Sequence, residues 1–349
     1  DGSVVTWGGA GGTQEYIKSD GSTQDVSEQL KSGVTRIYGS GNKDTIFEPY
    51  GAPVFSNSAD FFAAVKNDGS VVTWGNSFNG GGNSQVVSSL LTSGVSAVYM
   101  NSSVAVALKT NGDLVAWGST SFGMNDATGI KNVKKIYAND FAFAALKNDG
   151  NVSAWGLGPW GAGINGQTNV KRIYATDMAY AALKNDGSVF TSGNGHSGGN
   201  SSIYLSDRDH TPVSVATFLS GDVIAIYSTQ RAFAALKDDG SVVTWGLVEY
   251  GGDYLNIYNH QDDSLSSVSG TVENVIAIYS TTKAFAALKD DGSVVTWGEN
   301  NSGGDSSSVA ISLSDDVIAI YSNFSTFAAL KTNGSVVTWG HDINNFPST

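Results

Sequence analysis

The sequence has no cysteine, five prolines in 349 residues, and no uninterrupted apolar run long enough to cross a bilayer. Without cysteine there is no disulfide framework, no thiolate nucleophile and no cysteine-based zinc site, although this absence says nothing about compartment. Without a long apolar run or a signal-peptide pattern, no membrane-spanning segment is expected. Basic residues are also scarce: 19 Lys and Arg stand against 32 Asp and Glu, for a net charge of −13. The clustered cations that displace counterions from nucleic acid or anionic lipid are missing, so nucleic acid is not an expected partner.

What is present points to a folded all-β chain. Hydrophobic residues make up 40% and charged residues 15%, too apolar a balance for disorder. Forty-three glycines, with abundant Ser, Asn, Thr and Val, favour short strands joined by tight turns over long helices. The stretch AFAALKDDGSVVTWG occurs letter for letter at 232–246 and 284–298 and recurs in variant form along the chain. Asp-Gly or Asn-Gly followed by a Val-rich run begins at Asp1, Asp68, Asn111, Asp149, Asp186, Asp239, Asp291 and Asn333, at spacings of 37 to 67 residues. Seven of these copies follow an AFAALK-like run, itself preceded by a run such as IYS or IYA.

A dipeptide tolerant of positive φ between two apolar runs is a strong hairpin signal, so each unit predicts antiparallel strands. In SVVTWG, alternation sets Val243 and Trp245 on one face and Val242 and Thr244 on the other. In AFAALK it sets Phe233 and Ala235 against Ala234 and Leu236, with small side chains where another backbone must approach. One small sheet cannot cover two apolar faces, whereas like sheets packed in series can, and radial packing closes the series. The expected fold is a single-domain, seven-bladed β-propeller, with an extended β-solenoid as the alternative.

The stretch DGSVVTWG, then a Gly-rich turn (YGGD at 250–253, SGGD at 302–305), then IYS and AFAALK, resembles the repeat of the regulator-of-chromosome-condensation family. The resemblance covers nearly the whole chain and implies a seven-bladed propeller. Family-type repeats run 1–66, 68–109, 111–147, 149–184, 186–237, 239–289 and 291–331, with a surplus strand at 333–340. Seven strand pairs meet eight SVVTWG-like copies, which leaves the copy at 1–8 without a hairpin mate and, as an unpaired edge, open to a neighbouring molecule. Because the chain opens inside a repeat, a targeting segment is expected upstream of Asp1. The family's best-known member promotes nucleotide exchange on a small nuclear GTPase and binds chromatin. The family's repeat histidine is replaced here by Phe61, Val104, Ala142, Ala179, Ala232, Ala284 and Thr326, and its cysteine slot holds residues such as Ser228, Ser280 and Ser322. With no imidazole on that face, the resemblance transfers the scaffold more firmly than the exchange activity.

Function is then sought in what is not repeated. Residues 39–53 interrupt the first repeat with a Glu48-Pro49-Tyr50 turn, while 194–220 and 247–273 lengthen two adjacent repeats and hold three of the four histidines. The candidate binding residues are Glu48, Tyr50, Tyr204, His210, Tyr250, Tyr254, Tyr258 and His260; tolerated loop length on a propeller rim is the plainer reading. GHSGG at 195–199 matches a nucleophile-elbow pattern, but it occupies the Gly-rich turn slot of YGGD and SGGD. GNGHSG and GLGPWG match a phosphate-loop pattern with no helix to follow, so they are read as turns. His210 beside Asp207 and Asp209, or His260 beside Asp262 and Asp263, is too sparse a donor set for a metal. Neither a catalytic centre, a metal nor a cofactor is expected. The sequence reading is a non-enzymatic interaction or assembly scaffold, outside the cell or on its surface, whose partner is another protein or copies of itself. The alternatives are a carbohydrate-binding module with a glycan partner, and a guanine-nucleotide exchange factor.

Overall fold

The computed structural model describes residues 3–4, 15–17, 23–40, 42–43, 54–55, 61–75, 83–120, 127–160, 162–201, 204–205, 212–213, 215–252 and 272–341. Among them, regular structure is strand and short 3-10 turn, as the Gly-rich, β-branched composition requires. Seven successive sheets repeat one antiparallel design: the IYS-like run pairs with the AFAALK-like run, which pairs with the SVVTWG-like run. Sheets 2 to 7 comprise Val95–Met100, Val104–Lys109 and Leu114–Gly118; Val133–Ala138, Ala142–Lys147 and Val152–Gly156; Val170–Ala175, Ala179–Lys184 and Val189–Gly193; Val223–Ser228, Ala232–Lys237 and Val242–Gly246; Val275–Ser280, Ala284–Lys289 and Val294–Gly298; Val317–Ser322, Thr326–Lys331 and Val336–Gly340. Sheet 1 has Val34–Gly39, Phe61–Lys66 and Val71–Gly75, extended by the hairpin Glu15–Ile17 with Thr23–Asp25. These are the blades of the propeller class read from the repeats. The strand within 333–340 is no surplus here, since Val336–Gly340 pairs with Thr326–Lys331 to complete sheet 7. Of the copy at 1–8, Ser3 and Val4 are described, and Val4 N donates to Leu30 O at 3.0 Å.

Contacts divide the chain into two units, Asp1–Ile46 with Val54–Val170, and Phe47–Pro53 with Lys171–Thr349. In the first, sheet 1 packs on sheet 2 and sheet 2 on sheet 3. In the second, sheets 4 to 7 pack in sequence.

The predicted two-faced burial is visible in sheet 5. Phe233, Ala235, Val243 and Trp245 lie against Ala179, Ala181 and Leu183 of sheet 4. Ala232, Ala234, Leu236 and Val242 lie on the opposite face, against Ile278, Phe285, Ala287 and Trp297 of sheet 6. Small Ala side chains on one sheet therefore make room for the Phe and Trp of the next, and each buried Phe or Leu contributes roughly 1.5–3 kcal/mol. Cross-strand pairing stacks Phe233 on Trp245, Phe285 on Trp297 and Phe327 on Trp339, with ring centroids 5.2 to 5.3 Å apart. The family's histidine slot falls opposite the strand-ending glycine, as in Ala232 with Gly246. A Cβ on Gly246 would stand 2.7 Å from Ala232 Cα, so the close approach of the two strands requires glycine at that end.

The hairpin turns differ in one respect from the sequence expectation. Only the glycine of Asp-Gly takes positive φ, as at Gly240 (φ 79°), and Gly240 N donates to Lys237 O at 3.1 Å. That is an ordinary turn followed by a left-handed glycine, a three-residue solution that matches strand twist as a two-residue primed turn would. The aspartate serves as a local acceptor instead: Asp239 Oδ1 receives the Ser241 hydroxyl at 2.6 Å and its N–H at 2.9 Å. Asp68, Asp186 and Asp291 also accept from the serine two residues on. In all four, the serine hydroxyl bond first and the serine N–H second hold the carboxyl below the usual carboxylate range.

A carboxyl whose folded pKa is depressed adds stability that is complete above its unfolded value, about 4, and is lost as pH falls through the folded value. The thermal midpoint is accordingly expected to drop between about pH 5 and about pH 2, and the variant with all four aspartates changed to Asn should show a shallower drop. Equal acid dependence in the two proteins would refute the assignment.

Candidate binding surface at the linked ends of sheets 4 to 7

At the end of sheets 2 to 7 remote from the hairpin turns, a tight connection joins the first strand to the second, and it opens on one polar residue. Asn139 Oδ1 accepts from the N–H groups of Phe141 and Ala142, at 2.9 and 2.7 Å. Thr229 and Thr281 Oγ1 accept from Ala232 and Ala284 N at 3.1 Å. The same side chains reach the 3-10 turn that follows the third strand, 21 residues on: Thr176 Oγ1 donates to Ser197 O at 2.7 Å, Thr229 to Tyr250 O at 2.9 Å and Thr281 to Ser302 O at 2.8 Å. With Asn139 Nδ2 donating to Trp160 O in the same way, these side chains are satisfied and clip two loops together in each of sheets 3 to 6.

In the second unit these connections also bond to one another. Asp177 N donates to Gln230 O at 2.8 Å, Gln230 N to Thr282 O at 2.9 Å and Thr282 N to Phe324 O at 3.0 Å. One main-chain ladder thus fixes the ends of sheets 4, 5, 6 and 7.

On this ladder three side chains converge. Arg231 precedes the second strand of sheet 5, Lys283 precedes that of sheet 6, and Tyr250 ends the 3-10 turn Val248–Tyr250 after sheet 5. Arg231 Cζ lies 5.5 Å from the Tyr250 ring centre and Lys283 Nζ 5.3 Å from it. Both distances fit attraction between a cation and the ring's negative face, about 0.5–1 kcal/mol each at exposed sites. Asp177 Oδ2 stands 4.0 Å from Arg231 Nε, with the arginine side chain 41% exposed and the aspartate 14%. The cluster therefore combines a partly exposed arginine whose Nε is itself buried, an ammonium and an aromatic surface, a set suited to holding a partner's polar group and excluding water around it.

Of the residues expected from sequence to bind, Tyr250 is the one the structure places in this cluster. It ends the 3-10 turn Val248–Tyr250. Tyr204 lies on the short strand Tyr204–Leu205, which pairs with Pro212–Val213. Glu48, Tyr50, His210, Tyr254, Tyr258 and His260 lie outside the described residues, as do the aspartates beside the two histidines. Sequence reasoning missed Arg231 and Lys283 because each looks like an isolated charge beside a repeat. The available signal was their shared register, immediately before an otherwise identical AFAALK run.

GHSGG is a turn, as its slot implied. Gly195–Ser197 is a 3-10 turn, Gly198 is left-handed at φ 85°, and Ser197 is buried with its carbonyl engaged by Thr176. Among the described residues, no three His, Cys, Asp or Glu are grouped to hold a metal ion, and no helix is long and apolar enough to cross a membrane.

No family model matches the chain and no curated protein matches its sequence. Solved structures do resemble it. The crinkly WD40 ectodomain of the Arabidopsis thaliana receptor kinase ACR4 is 16% identical, with 80% of this chain and 90% of that one covered and a TM-score of 0.40. Yeast RCC1 (Prp20), solved bound to Kap60, is 16% identical, with 87% and 78% covered and a TM-score of 0.39. Human WBSCR16 is 14% identical, with 88% and 98% covered and a TM-score of 0.43. These likenesses are low, and the fold assignment rests on the strands: seven sheets of one antiparallel register fit the seven-bladed propeller of the regulator-of-chromosome-condensation type.

Proposed function

We propose that this protein is a non-enzymatic interaction scaffold whose partner is another protein. The observation that carries this reading is the Arg231–Tyr250–Lys283 cluster, mounted on the hydrogen-bonded ends of sheets 5 and 6. A rigid main-chain platform that presents an aromatic ring between cations has the composition of a binding hot spot, where Tyr and Arg are enriched. Repeated sheets supply the platform, and unrepeated side chains supply the recognition.

Affinity capture from the native source by the whole protein, followed by measured binding of the recovered partner, tests the proposal. A saturable protein partner is expected, and a glycan array should stay blank. Glycan binding with no protein partner would overturn the reading. Size-exclusion chromatography with light scattering shows whether the captured protein is a further copy of the chain.

A further inference from the structure

We infer that the Arg231–Tyr250–Lys283 corner anchors an acidic segment of the partner protein, through one or two Asp or Glu carboxylates. This rests on the interaction-scaffold reading and names its partner's chemistry.

The strand connections themselves do not require the charges of Arg231 and Lys283. At the position before the second strand, the backbone carbonyl accepts from the residue after the third strand: Leu247 N to Arg231 O at 3.0 Å and Glu299 N to Lys283 O at 3.1 Å. The same bond forms where the residue is Phe141, Met178 or Ser325, so the blade tolerates an aromatic, a thioether or a hydroxyl there. Tyr250 serves the blade through its carbonyl, in a slot that holds Trp160, Ser197 or Ser302 in other blades, and its ring also packs, partly buried, against the core between sheets 5 and 6.

Two cations are nevertheless brought to one ring. Sheets 4 to 7 place Arg231 and Lys283, alone among the described cations of the second unit, at this end; Lys184, Lys237, Lys289 and Lys331 close the second strands at the other. In a chain of net charge −13, concentrating like charge at one point disfavours the unbound state and is relieved by an incoming anion. Asp177 Oδ2 stands 4.0 Å from Arg231 Nε, at the outer limit of an ion pair. The planar guanidinium fits a carboxylate fork, the lysine supplies a second charge, and the ring offers apolar support beside them. Glu249 and Glu299 adjoin the corner in sequence, so the anion it holds brings few charges of its own, as one or two carboxylates of a peptide do.

The test is fluorescence anisotropy of a fluorescein-labelled hexaglutamate peptide with the full chain at low salt. The expected result is saturable binding, weakened at least about tenfold by the double variant Arg231→Glu, Lys283→Glu and kept within about twofold by Arg231→Lys, Lys283→Arg. Lys289→Glu, at the opposite end of sheet 6, should leave it unchanged, and melting curves establish that each variant is folded. Equal loss in Lys289→Glu, displacement by inorganic phosphate at matched ionic strength, or no binding by the native chain would overturn the inference. A native partner captured equally by the Arg231→Glu, Lys283→Glu variant would remove this corner while leaving the scaffold reading in place.

Discussion

Gly251→Ala is expected to destabilise the protein by about 2–5 kcal/mol, whereas Gly334→Ala, at nearly the same backbone angle, should cost about 1–2 kcal/mol. Both glycines are left-handed, at φ 88° and 82°. They differ in what a methyl group would meet. At Gly334 nothing lies within 4 Å, so the substitution bears the conformational cost alone. At Gly251 the new Cβ would stand 2.7 Å from Phe285 Cδ2 and 3.3 Å from Trp297 Cδ1, and Phe285 is fully buried. The ring is pinned by its stack on Trp297, so overpacking adds to the conformational term. Gly198 and Gly303 press in the same way on Phe233 and Phe327. Urea denaturation of the two variants decides the matter, and equal losses would show that the Phe285 ring yields freely.

Trp297→Ala carries the other large effect, about 3–5 kcal/mol for deleting a buried indole. Trp297 is 3% exposed, stacks on Phe285 at 5.2 Å, and donates from Nε1 to Gly251 O at 3.1 Å. That bond crosses from sheet 6 to the turn that follows sheet 5, and Trp245 and Trp339 make its counterparts to Gly198 O and Gly303 O at 3.0 and 3.1 Å. Trp297→Phe keeps most of the packing and removes the donor, so it should cost less, about 1–3 kcal/mol from the buried carbonyl left without its partner. Because stability in repeat arrays is built from neighbour terms, the loss should concentrate at sheets 5 and 6. Hydrogen exchange would register it as faster exchange of the amides of 284–289 and 294–298 than of those in sheet 2. A uniform increase across all sheets would contradict the neighbour picture.

These two sites show where sequence reading reached and where it stopped. The turn YGGD was legible as a turn, and Trp297 as a buried strand residue, because each follows from local chemistry. That the turn glycine seats itself on the next blade's Phe–Trp pair, and that the indole bonds to it, was not legible, since the partners lie 46 residues apart. A further feature escaped notice. Asn132, Asn169, Asp222, Asn274 and Asp316 are left-handed immediately before the first strand, in the slot that Gly33 and Gly94 fill elsewhere. The clue was the exchange of Gly for Asn or Asp at one register, the residue types that tolerate that conformation best.

By itself the sequence determined the all-β class, the seven-fold recurrence of a three-stranded sheet, the hairpin positions and the burial of both faces. Those properties follow from period-two alternation and turn chemistry, which act over a few residues. The tertiary structure alone decided which side chains from different repeats meet: the Trp-to-glycine links between blades, the main-chain ladder along sheets 4 to 7, and the convergence of Arg231 and Lys283 on Tyr250. Such meetings depend on how neighbouring sheets stack and on the length of the turns between them, and neither is encoded in any single repeat.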